Sequence, residues 1–103
     1  MMPPGYYREA EIKAAVEEVE KLLAPRVKHI RYMIDRDWSG DWAVYFRVLL
    51  SDEVNYSGKV RETMEEVERQ MDERLDFRVL GLWTYYSLRT ESEQRMQLDE
   101  AFV

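Results

Sequence analysis

The sequence contains no cysteine among its 103 residues. A chain without thiols forms no disulfide framework, no thiolate metal site and no cysteine nucleophile. Long apolar runs are also absent, since stretches such as Val48-Leu49-Leu50 span only a few residues, and the first residues, "MMPPGYYREAEIKAA", lack the charged start and apolar stretch of a signal peptide. We therefore expect a cytoplasmic protein that is neither exported nor membrane-spanning.

Positive charge is scarce. The chain has 15 Lys and Arg residues against 21 Asp and Glu, a formal net charge of −6. This balance disfavours nonspecific binding to phosphate backbones and favours a basic protein partner. An apolar share of 46% with 35% charged residues is typical of a folded chain. We predict one domain over residues 1–103, with residues 1–6 loosely ordered.

Residues that carry catalysis are also few. His29 is the only histidine, it stands beside Arg31, and no serine with a plausible base is nearby. Gly58 has neither the glycine-rich run nor the Lys-Ser/Thr pair of a phosphate-binding loop. The sequence therefore predicts no enzyme, no catalytic residue, no cofactor and no metal site.

Apolar periodicity predicts two amphipathic helices. The first spans Tyr7 to Ala24 and is ended by Pro25; its apolar positions are Ile12, Ala15, Val16, Val19, Leu22 and Leu23. The second begins near Val60 and is about 18 residues long. Its narrow seam consists of Val60, Met64, Val67, Met71 and Leu75. The acidic positions in "MEEVERQMDERL" are interleaved with Arg69 and Arg74, which is typical of a solvated face with local ion pairs.

Alternating apolar residues predict three strands, in "VKHIRYMIDRD", "WAVYFRVLLS" and "DFRVLGLWTYYSLRT". Thr90 and Glu93 form a capping-box pattern, which predicts a short helix at the start of the tail, residues 91–103. The order αββαβ predicts an α+β fold, a two-layer sandwich with a three-stranded mixed sheet and two helices on one face. We expect the third strand to lie parallel to the second and beside the first, as in half of a ferredoxin-like fold.

Four acids surround the junction of the first two strands, in "DRDWSGDWAVYFRVLLSD". Asp35 and Asp37 share an i, i+2 relation that could seat a hard cation such as Mg²⁺. However, "DWSGD" has the Ser, Gly and Asp that tight turns require. We therefore interpret the four acids, Asp35, Asp37, Asp41 and Asp52, as turn caps and edge charges of a hairpin.

The sheet face opposite the helices carries large aromatic, apolar and basic side chains, and we call it the open face. We predict it as an interface, formed by His29, Arg31, Met33, Tyr45, Arg47, Leu49, Trp83, Tyr85 and Arg89. Such a face should be covered. A second copy in a homodimer is the simplest cover. The alternatives are a different protein, single-stranded RNA stacked on the aromatic rings, and a small ligand or catalytic site.

A Trp-Ser-Gly-Asp hairpin leads into "WAVYFRVLLSD", and "FRVLGLWTYYSLRTESE" follows near the end. Over most of the chain this pattern resembles small uncharacterised bacterial proteins encoded beside toxin–antitoxin or defence partners. The resemblance implies partner binding and carries over no functional residue. The sequence thus predicts a non-catalytic protein-interaction module, an acidic accessory or antitoxin-like protein that acts as a homodimer or with a basic partner. The alternative is a single-stranded RNA-binding domain.

Overall fold

The computed structural model describes residues 8–103, so the prediction of loose order for residues 1–6 lies outside the described part. Helix α1 (Glu9–Leu23) precedes a hairpin of strands β1 (Val27–Arg36) and β2 (Trp42–Leu50). The connection that follows contains the helices α2 (Asp52–Tyr56), α3 (Val60–Arg74) and α4 (Phe77–Leu80). It leads into strand β3 (Trp83–Thr90), helix α5 (Glu91–Met96) and a 3₁₀ helix (Glu100–Phe102).

The three strands form one mixed sheet in the order β1-β2-β3. Strand β1 is antiparallel to β2, and β3 is parallel to β2. The predicted α+β class is confirmed, but the expected position of the third strand beside the first is wrong. The apolar content of the strands explains the order. Strand β2 is the most apolar of the three and takes the centre, whereas β1 carries charges that suit an edge.

Helices α1 and α3 cover one face of the sheet. Their apolar positions pack on the inward residues of β2, where Phe46 is stacked on Tyr86 at 4.9 Å between ring centroids. Phe77 meets Phe46 edge-on at 5.9 Å. The fully buried core residues include Ile12, Val19, Val44, Phe46, Val48, Leu50, Val67 and Met71. The apolar stripes that predicted the helices therefore build the core, but the prediction is wrong for Leu22, which is 54% exposed.

Helix ends follow local chain chemistry. Ala24, before Pro25, is extended and ends α1. Helix α3 has 15 residues and is shorter than predicted. The short helices α2 and α4 are too brief to show a periodic pattern.

Among residues 8–103, no helix has both the length and the apolar character required to cross a bilayer.

The third strand begins later than its composition suggests. Phe77–Leu80 forms α4, so the prediction of strand structure from Asp76 is wrong for this part. The Asp76 carboxylate accepts hydrogen bonds from the backbone N–H groups of Arg78 and Val79, which starts the helical turn. Gly81, at φ 72°, ends it in the left-handed conformation that glycine adopts without strain. A cap and a glycine thus override the β propensity of "FRVL".

Candidate protein-interaction surface

The register of the three strands arranges the open face in rows. From the hairpin end these are Asp35–Ala43–Trp83, Met33–Tyr45–Tyr85, Arg31–Arg47–Ser87 and His29–Leu49–Arg89. All the residues predicted to form the interface therefore belong to one sheet face by register. The two ends of this face differ in their surroundings.

The end of the open face furthest from the hairpin is covered by residues 97–103. The 3₁₀ helix of this segment contacts β1 and β2, and Phe102 is only 6% exposed. The Arg31 guanidinium donates a hydrogen bond to the main-chain oxygen of Val103. Ala101 closes a small cavity of about 90 Å³ with Arg31 and Arg47. The expectation that only one sheet face is covered is thus wrong for this half, because the tail folds back over it.

Arg89 and Gln94 anchor the tail. Arg89 donates to Gln94 Oε1 at 3.0 Å and to the backbone oxygen of Glu93 at 3.1 Å. Gln94 in turn donates to the backbone oxygen of Asp99 at 2.9 Å and accepts from its N–H at 3.2 Å. The capping box of Thr90 and Glu93 is present and starts α5, which confirms the short helix predicted from this pattern. The hydrogen bonds of Arg89 are therefore made to the tail of the same chain.

The hairpin end of the open face is left uncovered by the described residues. We call its four aromatic and apolar side chains, Met33, Tyr45, Trp83 and Tyr85, the hairpin patch. Met33 is 50% exposed and Trp83 is 63% exposed. Tyr45 and Tyr85 are stacked with their centroids 5.2 Å apart. The patch has the aromatic composition and exposure of a surface that binds another molecule.

The hairpin turn is organised by Asp37. Its Oδ1 accepts hydrogen bonds from Ser39 N at 2.9 Å, Ser39 Oγ at 2.6 Å and Asp41 N at 3.0 Å. Its Oδ2 accepts from the Tyr85 hydroxyl at 2.8 Å. These bonds, led by the Ser39 hydroxyl, lower the pKa of Asp37 to about 2. The turn-cap interpretation is confirmed for Asp37, whose oxygens are occupied by protein donors.

Of the other acids of the opening stretch, Asp41 lies beside Asp37, and its Oδ2 accepts from the same Ser39 hydroxyl at 3.1 Å, whereas Asp35 and Asp52 bond elsewhere. The hairpin interpretation is wrong for Asp52, which lies after β2. Asp35 Oδ1 accepts from the Arg36 N–H at 2.7 Å. Asp52 begins α2, where it accepts from Ser92 N and from Arg95, each at 2.8 Å; the bond from Arg95 is the largest cause of its lowered pKa. Across residues 8–103 no three His, Asp or Glu side chains are grouped as metal ligands would be.

His29 belongs to the open face by register, but its ring makes a contact at the edge of the sheet. Its Nδ1 lies 3.4 Å from Glu20 Oε1 of α1. His29 therefore contributes less to the open face than its strand position suggests.

On the helix layer, Arg69 pairs with Glu66 at 2.6 Å and with Glu73 at 2.8 Å, which confirms local ion pairs on the acidic face of α3.

Two hollows flank the start of β3, and the sequence pattern predicts neither. One, of about 480 Å³, is lined by Arg78, Gly81, Leu82, Trp83 and Thr84. The other, of about 490 Å³, is lined by Asp72, Leu75, Asp76, Phe77, Arg78 and Thr84. Both exist because α4 separates α3 from β3. The only sequence signal for this break is Asp76 followed by Gly81, a helix cap and a helix end.

Comparison of the chain with protein-family models, curated proteins and solved structures found no match. The resemblance to proteins encoded beside toxin–antitoxin or defence partners therefore stays a prediction. Function is proposed from the geometry and charge of the surface.

Proposed function

We propose that the protein is a non-catalytic protein-interaction module of the cytoplasm that binds a basic protein partner through the hairpin patch. The observation that carries this proposal is the contrast within the open face. The tail covers one end, while Met33 and Trp83 stay exposed at the other. Exposed aromatic and apolar side chains beside polar ones are the usual anchors of protein interfaces.

Charge supports a basic partner. Asp35 and Asp41 are exposed beside the patch, and the lowered pKa of Asp37 keeps its carboxylate charged at neutral pH. The nearby Arg36 is engaged by the protein itself, since it lies 4.4 Å from the centroid of the Trp42 ring and donates to the Gly40 oxygen at 2.7 Å. The net charge of −6 adds long-range attraction for a basic protein.

The same contacts weigh against single-stranded RNA. RNA binding by this face requires arginines that are free to meet phosphates. Arg31 and Arg89 instead donate to the tail. Arg47 forms no ion pair with any described residue, and its guanidinium lies 5.4 Å from the centroid of the Tyr45 ring. A single guanidinium without an ion pair, on a protein with a net charge of −6, favours a protein partner over a polyanion.

A homodimer through the whole open face stays a prediction. A two-fold dimer uses the same surface of both copies, so the tails of both copies would limit the contact area. Sedimentation at micromolar concentration checks this assembly. A monomer that is unaffected by Trp83→Asp contradicts a dimer that uses the open face.

Affinity purification from the native cell, with and without ribonuclease, tests the interaction function. We expect one stoichiometric basic protein that resists ribonuclease. We expect Met33→Asp to reduce its recovery about tenfold, because a charge in a desolvated interface is costly. The matched control is Met96→Asp, at a methionine on α5 that is 88% exposed. RNA that co-purifies and is lost with Arg31→Glu plus Arg47→Glu would replace this proposal with RNA binding.

A further inference from the structure

The two edges of the sheet differ in charge. The outer strand β1 carries Lys28, Arg31, Asp35 and Arg36, charges that discourage pairing with another strand. Residues 83–88 of β3, "WTYYSL", carry no charge and no proline. Among residues 8–103, no backbone hydrogen bond joins the outer edge of β3 to another segment. An unpaired and uncharged edge is a template for an added strand.

The two hollows lie beside the start of this edge, and Thr84 and Arg78 line both of them. The apolar side chains that line the first hollow are those of Leu82 and Trp83, whereas Asp72 and Asp76 place carboxylates at the second. Successive side chains of a strand point to opposite faces. By register Trp83 lies on the open face and Thr84 on the helix-facing side. A strand placed along β3 would therefore direct alternate side chains towards Trp83 and towards the acidic hollow beside Thr84.

The acidic side continues along β3. Glu68 and Asp72 are one helical turn apart on α3, both are exposed, and neither forms an ion pair with a described residue. Burial raises the pKa of the Tyr86 hydroxyl, and the nearby carboxylates of Asp72 and Glu68 raise it further. The buried Tyr86 hydroxyl has no hydrogen-bond partner within residues 8–103. Unpaired carboxylates thus border the helix-facing side of the free edge.

We infer that an extended segment of the basic partner adds to β3 as a fourth strand. Its basic side chains meet Glu68, Asp72 and Asp76, and the alternate apolar side chains pack beside the exposed Trp83. This inference rests on the proposed function and specifies the form of the partner. A second copy fits the edge less well, because pairing β3 with itself would bring the acidic sides of two α3 helices together.

The probe for the test is a displayed library of random ten-residue peptides, selected on the intact protein. We expect enriched peptides to carry Lys or Arg at alternate positions with apolar residues between them. Glu68→Gln with Asp72→Asn should weaken the best peptide about tenfold, since charge-assisted contacts of this kind are lost. The matched control is Glu11→Gln with Glu62→Gln, which makes the same charge change on α1 and at the start of α3; it should change the affinity less than twofold.

Backbone methylation of the best peptide tests strand addition directly. In a paired strand, alternate N–H groups face the neighbouring strand. Methylation of one alternating set should therefore abolish binding, and methylation of the other set should leave it unchanged. Circular dichroism of each protein variant establishes that the fold is retained.

The other outcomes separate the two proposals. Peptides that Met33→Asp releases, but that tolerate both methylation sets and the Glu68–Asp72 double variant, would overturn strand addition and leave the interaction function in place. No enrichment of basic peptides would overturn strand addition, whereas failure to recover a basic protein in the affinity purification would overturn the interaction function. A dimer that Leu88→Lys dissociates would assign the edge to a second copy and overturn the inference.

Discussion

The two ends of the open face are built from the same three strands, yet one end is an intramolecular contact and the other is exposed. At the tail end, Phe102 is buried and Arg31 and Arg89 bind the main chain and side chains of residues 93–103. At the hairpin end, Trp83 and Met33 are exposed. The strand pattern alone therefore marks a face as apolar, and the path of a neighbouring segment decides which part of it is available to a partner.

The difference has a physical basis in what each end offers. The tail end presents guanidinium donors, which match the oxygens of a nearby chain segment. The hairpin end presents two stacked tyrosines, and the hydroxyl of Tyr85 is already used, since it donates to Asp37 at 2.8 Å. An aromatic surface of this kind gains from apolar burial by a partner.

The largest effect is expected from truncation of the ring that holds the tail. Phe102→Ala should lower the free energy of unfolding by about 3 kcal/mol, the lower end for a buried phenylalanine, since the ring lies at the periphery. Urea unfolding measures the change. The variant should also become more open to proteolysis in residues 97–103. An unchanged unfolding midpoint would show that the packing of the tail on the open face contributes nothing to stability.

A smaller loss is expected from the cap that begins α5. Thr90 accepts from the Glu93 N–H at 3.3 Å, and its own N–H donates to the Glu93 carboxylate at 3.0 Å. Thr90→Ala should therefore cost about 1 kcal/mol in urea unfolding. Thr90→Ser, which keeps the hydroxyl, is the control and should recover most of the loss. Equal losses in both variants would attribute the effect to packing instead of capping.

The hairpin turn makes the stability of the fold depend on pH. The pKa of Asp37 is lowered from 3.8 to about 2, mainly by the Ser39 hydroxyl and also by Tyr85. A lowered pKa means that the charged form stabilises the fold, so this contribution is complete above pH 3.8 and is lost as the pH falls towards 2. NMR titration of the Asp37 carboxyl carbon measures the pKa.

The Tyr85–Asp37 bond can be separated from the rest of the turn. Tyr85→Phe removes one donor, so the pKa of Asp37 should move upwards towards its ordinary value. Tyr56→Phe, at a tyrosine that is 78% exposed on α2, is the matched control and should leave the titration unchanged. If Tyr85→Phe has no effect, the bond does not link the aromatic pair to the hairpin turn in solution.

The smallest effect on stability is expected in the hairpin patch. Trp83→Ala should change the free energy of unfolding by less than about 0.5 kcal/mol, because the side chain is already exposed. Its effect should appear in partner binding instead. A loss comparable to that of Phe102→Ala would mean that Trp83 is buried in solution, and the contrast between the two ends would fail.

Much of the fold follows from local patterns. The stripe from Ile12 to Leu23 predicts α1, and the alternation from Trp42 to Leu50 predicts which side of β2 is buried. Both depend on a periodicity that a single segment carries. The place of β3 beside β2 depends on packing between segments that are distant in the sequence, so periodicity does not contain it.

The candidate site shows the same limit. Strand alternation predicts that Met33, Tyr45 and Trp83 share a face, and the register confirms it. It does not predict that Phe102 covers the other end, because a lone phenylalanine in a polar tail has no periodic neighbours to indicate its direction. The hollows beside Thr84 also arise only when α3, α4 and β3 are placed together.

The sequence by itself determined the α+β class, the hairpin with its Asp37 cap, and the identity of the residues on the open face, since each depends on short-range geometry and on side chains within a few positions. Tertiary structure decided the strand order, the hydrogen bond between Arg31 and the tail, and the unpaired edge of β3 with carboxylates beside it. These features arise from contacts between residues far apart in the chain, whose free energies depend on how all the elements pack together.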